Sequence, residues 1–103
     1  MATIEEITVQ ELKEWQDQGK DFQLIDVRET DEYEEANMDG KLIPLGTVEQ
    51  HTEEIAKDKP VVVHCRSGKR SANAIAVLQR DHGYDNLYNL KGGILAWQDE
   101  YGQ

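Results

Sequence analysis

Residues 61–71 read VVVHCRSGKRS, and the fold turns on this stretch. Val61, Val62 and Val63 are β-branched and apolar, the composition of an extended, buried strand. Ser67 and Gly68 permit a tight turn, and Ser71 to Gln79 reads as a helix. Cys65, the only cysteine of the chain, therefore stands between the C-terminal end of a strand and the N-terminus of a helix. Arg66, Lys69 and Arg70 crowd the same turn.

Such a thiol differs chemically from an ordinary one. Consecutive backbone N–H groups in a turn, the positive end of the following helix and nearby cations all favour thiolate over thiol. A lone cysteine after a valine run otherwise reads as a small buried hydrophobe. The three cations weigh against that, because unpaired charge is costly to bury around an inert thiol. The same cradle would draw an anionic substrate to the nucleophile.

Outward from this centre, the strand spans about Pro60 to His64 and the helix ends near His82, with Gly83 as a left-handed cap. A further strand is expected at Asn86 to Leu90, and Gly92-Gly93 leads into a terminal helix containing Leu95 and Trp97. Upstream, Thr8-Val-Gln-Glu11 is a capping box opening a helix to about Gln18, with Leu12 and Trp15 on its buried stripe and Gly19 as its stop. A strand follows at Phe22 to Val27. Thr30 is placed to cap a short acidic helix through Ala36, Leu42 to Leu45 reads as extended with Pro44 suited to an edge, and Thr47 to Ile55 reads as another short helix. Strands alternating with helices through short links indicate an α/β fold, a parallel sheet with helices on both faces. Ligands of such sheets lie at the C-terminal strand ends, where Cys65 is.

The 103 residues are expected to form one domain spanning 1–103, with a core that needs no metal or disulfide. The absence of an apolar run near 18 residues or of a secretory leader predicts neither a membrane span nor export, and hence a cytoplasmic location. A net charge of −10 disfavours nucleic acid and anionic membranes as partners. The charge is uneven: residues 1–54 carry −12 and residues 57–80 carry +5, so the positive charge is concentrated on the cysteine loop and its helix.

The order of LIDVRETDEYEEANMDGKLIPLG, VVVHCRSGKRSANAIAVLQRDHGYDNLYNLKGG and a terminal ILAW resembles the single-domain rhodaneses, a sulfurtransferase family, over nearly the full length. The resemblance implies a five-stranded parallel sheet flanked by helices and a six-residue active-site loop. Carried onto this chain, the loop is Cys65, Arg66, Ser67, Gly68, Lys69 and Arg70, with Cys65 as the persulfide-forming nucleophile. It also implies a small anionic sulfur donor such as thiosulfate, an acceptor that is cyanide, a thiol or a protein, no cofactor, and a monomer. One segment departs from the family pattern: Ala36-Asn37-Met38 replaces the usual Gly-His-Ile, a change expected to affect packing more than chemistry.

Asp26 and Arg28, at the end of the second strand, have two readings: support of the loop, or a simple strand-end salt bridge. His64 adjoins the thiol, but neighbouring strand residues face opposite ways, so a structural role is expected. His51 and His82 show no partners at metal spacing, and no metal site is expected. Trp97 reads as core or pocket wall. Two rival functions remain. A cysteine-dependent phosphatase or arsenate reductase uses a similar cradle, but phosphatases enclose five residues between cysteine and arginine where Cys65 and Arg70 enclose four, and a self-resolving reductase needs a second cysteine. The other rival is a non-catalytic regulatory or sulfur-carrier module.

Overall fold

In the computed structural model, which describes residues 3–102, the valine run becomes the middle strand of a five-stranded, all-parallel sheet. The strands are β1 (Glu5–Ile7), β2 (Gln23–Asp26), β3 (Lys41–Leu42), β4 (Val61–His64) and β5 (Leu87–Leu90), in spatial order β1-β5-β4-β2-β3. Val61, Val62 and Val63 are at most 1 % exposed. Burying each such side chain is worth roughly 1.5 kcal/mol or more, so the end of β4 is firmly anchored.

Four α-helices and a 3₁₀ segment cover the sheet: α1 (Val9–Asp17), α2 (Thr30–Glu35), the 3₁₀ segment Leu45–Glu54, α3 (Lys69–His82) and α4 (Gly93–Tyr101). Val61, Val63 and Cys65 face a core built with Ala74, Ile75 and Leu78 of α3 and Val48 of the 3₁₀ segment. Val62 faces the other way, into a core with Leu12 of α1 and Ile94 of α4. Helices therefore flank both faces, as the alternation of elements indicated.

Several boundaries differ from the sequence reading. Strand β1 was not read from its residues: only Ile7 of Glu5-Glu6-Ile7 is buried, and two exposed acids do not announce an edge strand. The residue capping α2 is Glu29, not Thr30; the Glu29 N–H donates to Glu32 Oε1 at 2.9 Å. Thr47 does not start a helix either. The 3₁₀ segment begins at Leu45, and the Thr47 hydroxyl donates to the Pro44 carbonyl at 3.2 Å. Helix α3 begins at Lys69, so Lys69 and Arg70 belong to its first turn rather than to the loop before it. The capping box at Thr8 and Glu11, the stop at Gly19, whose φ is +67°, and the left-handed cap Gly83 are present as read.

Asn37 supports the expectation that its segment matters for packing. Its side-chain N–H donates to the Tyr33 carbonyl at 3.1 Å, its Oδ1 accepts the Asp39 N–H at 2.9 Å, and Met38 is buried in the α1/α4 core.

Candidate active site

Gly68 creates the site's geometry. With φ at +104°, it turns the chain from β4 into α3, a conformation that L side chains rarely adopt. The turn points the Gly68 N–H at Cys65 Sγ, 3.1 Å away, and the Ser71 hydroxyl lies 3.4 Å from the same sulfur. Burial raises the pKa of this thiol, but hydrogen bonds from the Ser71 hydroxyl and the backbone N–H groups of Ser71, Gly68 and Ser67 outweigh it, so the net shift is downward. The donors that act on the sulfur are thus largely neutral groups.

The cations are arranged differently from the open positive ring suggested by their spacing. Arg70 gives both Nη groups to the two oxygens of Glu32, each at 2.8 Å. Arg66 and Lys69 are exposed and, among the described residues, form no ion pair. The turn therefore carries two free cations and one that is neutralised by α2.

A second layer fixes the loop. Asn89, 4 % exposed on β5, donates to the Gly68 carbonyl at 3.1 Å, and its Oδ1, 2.5 Å from the Ser71 oxygen, shares that hydroxyl's one proton with Cys65 Sγ. At the start of α4, the N–H groups of Ile94 and Leu95 donate to the carbonyls of Cys65 and Arg66 at 2.9 and 3.1 Å. Gly93, φ +60°, lets α4 come this close, because a Cβ there would lie 2.6 Å from the Cys65 carbonyl oxygen. With its carbonyls bound from behind, the loop can turn its N–H groups toward the sulfur. Gly92-Gly93 was legible as the lead into the terminal helix, not as the point where that helix meets the loop. Ser71 and Asn89 were missed: Ser71 reads as an ordinary helix start, and Asn89 shows only as a polar residue within an otherwise buried strand.

Asp26 and Arg28 form the strand-end salt bridge. Arg28 Nη2 lies 2.7 Å from Asp26 Oδ2 and Nε contacts both carboxylate oxygens, while the other donations of Arg28 go to the carbonyls of Ala36 and Glu32. Neither residue hydrogen-bonds the loop directly. His64 is fully buried, with Nε2 3.8 Å from Asp26 Oδ2, and burial lowers its pKa, so it is neutral at pH 7. Pointing away from Cys65, it forms no Cys-His dyad. His51 was read as partnerless, yet the curl of the 3₁₀ segment brings it within 4.8 Å of Glu53 and Glu54. Glu54 in that group is already paired with Lys41 at 2.8 Å. Trp97 packs against the α1/α4 core, 4.6 Å from the Tyr101 ring.

Beside the loop lies a cleft of about 350 Å³ walled by Arg28, Glu32, Glu35, Arg66, Ile94 and Leu95. Cys65 does not line it and is only 1 % exposed, so access to the sulfur favours a narrow reactant. Removing one donor tests how the thiol is tuned. Ser71→Ala should raise the Cys65 pKa, slowing iodoacetamide labelling at pH 7 and moving the midpoint of its pH–rate profile upward. Equal rates at pH 7 would show that the hydroxyl does not act on the thiolate.

A thiol aimed into backbone N–H groups at the turn between the central parallel strand and a helix defines a class of α/β proteins that handle sulfur or small anions. The family model for the rhodanese-like domain matches residues 8–100, and the chain belongs to that family. It is similar to a sulfurtransferase of Allochromatium vinosum, with 36% identity over 95 residues that cover 91% of this chain and 88% of that protein. It is also 36% identical over 94 residues to a probable adenylyltransferase/sulfurtransferase of Mycobacterium tuberculosis, where the match takes in 88% of this chain but spans only 24% of the relative's length. Among solved structures, a rhodanese-like domain protein from Staphylococcus aureus superposes with a TM-score of 0.85 at 32% identity, covering 95% of each chain. No helix of the described residues is long and apolar enough to cross a membrane.

Proposed function

We propose that the protein is a sulfurtransferase that moves sulfane sulfur from thiosulfate, or a similar small anionic donor, through a persulfide on Cys65 to cyanide, a thiol or a protein acceptor. The observation that carries this reading is the Cys65 sulfur facing the N–H groups of Ser67, Gly68 and Ser71 with its pKa lowered despite burial. In the first half-reaction the thiolate attacks the outer sulfur of thiosulfate. The S–S bond breaks, its electron pair leaves with sulfite, and the enzyme keeps a persulfide with one negative charge. In the second, the acceptor attacks the terminal sulfur and Cys65 recovers its thiolate. Both steps pass through anionic sulfur, which the loop N–H groups stabilise before and after transfer.

In this reading the turn Arg66, Ser67 and Gly68 and the first α3 residues Lys69 and Arg70 surround the substrate, with the Arg70 guanidinium held by Glu32 and with Asp26 and Arg28 supporting the turn only at a distance. Thiosulfate is a dianion and mercaptopyruvate a monoanion, so the exposed Arg66 and Lys69 should favour the former. Arg66→Ala or Lys69→Ala is expected to weaken thiosulfate use about tenfold, equivalent to about 1.4 kcal/mol, and to flatten its salt dependence. The loss on mercaptopyruvate should be smaller. Steady-state kinetics with both donors at low and high ionic strength test this, and equal losses would refute the charge argument. Aryl phosphates run alongside should give no release above a Cys65→Ser control; cysteine-dependent phosphate release would overturn the sulfur-transfer assignment.

A further inference from the structure

Arg70 is the one cation of the turn that does not stand free. Both of its Nη groups are engaged by Glu32, 38 residues earlier in the chain. The Glu32 carboxylate is itself anchored, because Oε1 also accepts the N–H of Glu29 at 2.9 Å, and the backbone of Glu32 is held by Arg28 at 3.4 Å. The two side chains are only about one-third exposed, 34% for Arg70 and 28% for Glu32. Hydrogen bonding to Arg70, then to the Glu29 N–H, holds the Glu32 carboxyl down to about 2, so it stays charged throughout the working range. Arg70 also feels the Cys65 thiolate, which is among the charges that raise its pKa, after Glu32 itself.

A guanidinium fork matches the oxygens of a tetrahedral oxyanion as well as it matches a carboxylate. Here the carboxylate already occupies the fork. We propose that Glu32 is a specificity-determining positioning residue, which keeps Arg70 from binding an oxyanion over Cys65 and leaves the thiolate to neutral donors. The inference rests on the reading that Cys65 is the reactive thiolate. It adds that the Arg70 fork is withheld from the oxygens of sulfate, phosphate or a sulfonate by α2, which leaves the sulfonate end of thiosulfate to the exposed Arg66 and Lys69.

Glu32→Gln is the direct test, because glutamine keeps an oxygen for the Glu29 N–H and turns an NH₂ group toward Arg70. The retained oxygen still accepts Arg70 Nη1, but Nη2 is released and the neutralising carboxylate charge is gone, which should lower the Cys65 pKa and raise iodoacetamide labelling at pH 6 about threefold, within the range of single partly exposed charge effects. Sulfate or inorganic phosphate should then protect the variant's thiol when compared with chloride at equal ionic strength. The parent protein should show no such protection. Glu32→Gln combined with Arg70→Gln should return both readouts to parental behaviour, which a merely structural role for Glu32 would not produce. A folded Glu32→Gln variant with unchanged labelling and no sulfate protection would overturn the proposal, as would a gain that survives removal of Arg70. If the variant fails to fold, the parent decides alone: protection of its thiol by sulfate would refute the blocked fork, and insensitivity would uphold it. Labelling reads the thiolate without any sulfur transfer, whereas persulfide formation in the parent is scored separately by mass, so the two readings fail independently.

Discussion

Replacing Gly93 by alanine is expected to lower sulfur transfer about a hundredfold, although residue 93 offers no chemical group to the reaction. The new Cβ would lie 2.6 Å from the Cys65 carbonyl oxygen and as close to the carbonyl carbon of Arg66, with loop backbone rather than a flexible side chain in its way. The positive φ adds about 1–2 kcal/mol of strain for any L side chain, and overpacking adds about 1–3 kcal/mol. To relieve the clash, α4 and the loop must separate, which breaks the bonds from the Ile94 and Leu95 N–H groups to the Cys65 and Arg66 carbonyls. The loop N–H groups then lose their aim at the sulfur, and a displacement near 1 Å at a reacting centre costs on the order of a hundredfold. Gly92 also has positive φ, but its Cβ would meet chiefly the side chain of Ala96 within the same helix. Turnover of Gly93→Ala, alongside its thermal midpoint, checks the account. A variant with parental kcat/KM would show that close approach of α4 is not what shapes the loop.

Most of this arrangement was legible in short-range signals. The run Val61 to Val63, the turn at Gly68, the capping box at Thr8 and Glu11 and the stop at Gly83 each write one local conformation into adjacent residues, and each appears where it was read. Glu5-Glu6-Ile7 failed because three residues with one buried side chain carry no alternation, so the fifth strand followed only from family resemblance. Thr47 matched a capping pattern, but the chain had already begun to curl at Leu45, after Pro44 with φ −55° and ψ 144°.

The site followed the same division. Cys65 and the loop announced themselves by spacing, as did the direction of His64, since side chains alternate along a strand. The charge state of the turn did not. Arg70 reads as a free cation until Glu32 is brought across from α2, and Ser71 reads as a helix start until Asn89 of β5 accepts its hydroxyl. Those pairings belong to tertiary structure. They also change the chemical picture, from a sulfur surrounded by three cations to one served mainly by N–H and O–H donors.

Cys65→Ser is expected to abolish sulfur transfer, with thiosulfate turnover falling to the level of the uncatalysed background. The serine hydroxyl is a far weaker nucleophile near neutral pH, and its neighbours offer no base to activate it: alternation along β4 turns His64 to the opposite face of the sheet, and Glu32 holds Arg70 in its charged form. No second cysteine stands in the chain to take over. The fold should survive, because the exchange of sulfur for oxygen is small and Gly68 and Ser71 can still donate to the new side chain.

The most direct measurement is intact-mass spectrometry after brief exposure to thiosulfate. The parent should gain about 32 Da, one sulfur atom held covalently, and lose it on addition of cyanide or an external thiol. Cys65→Ser should gain nothing. A parent chain that turns over thiosulfate without acquiring that mass, or a serine variant that transfers sulfur as fast as the parent, would contradict a persulfide on Cys65.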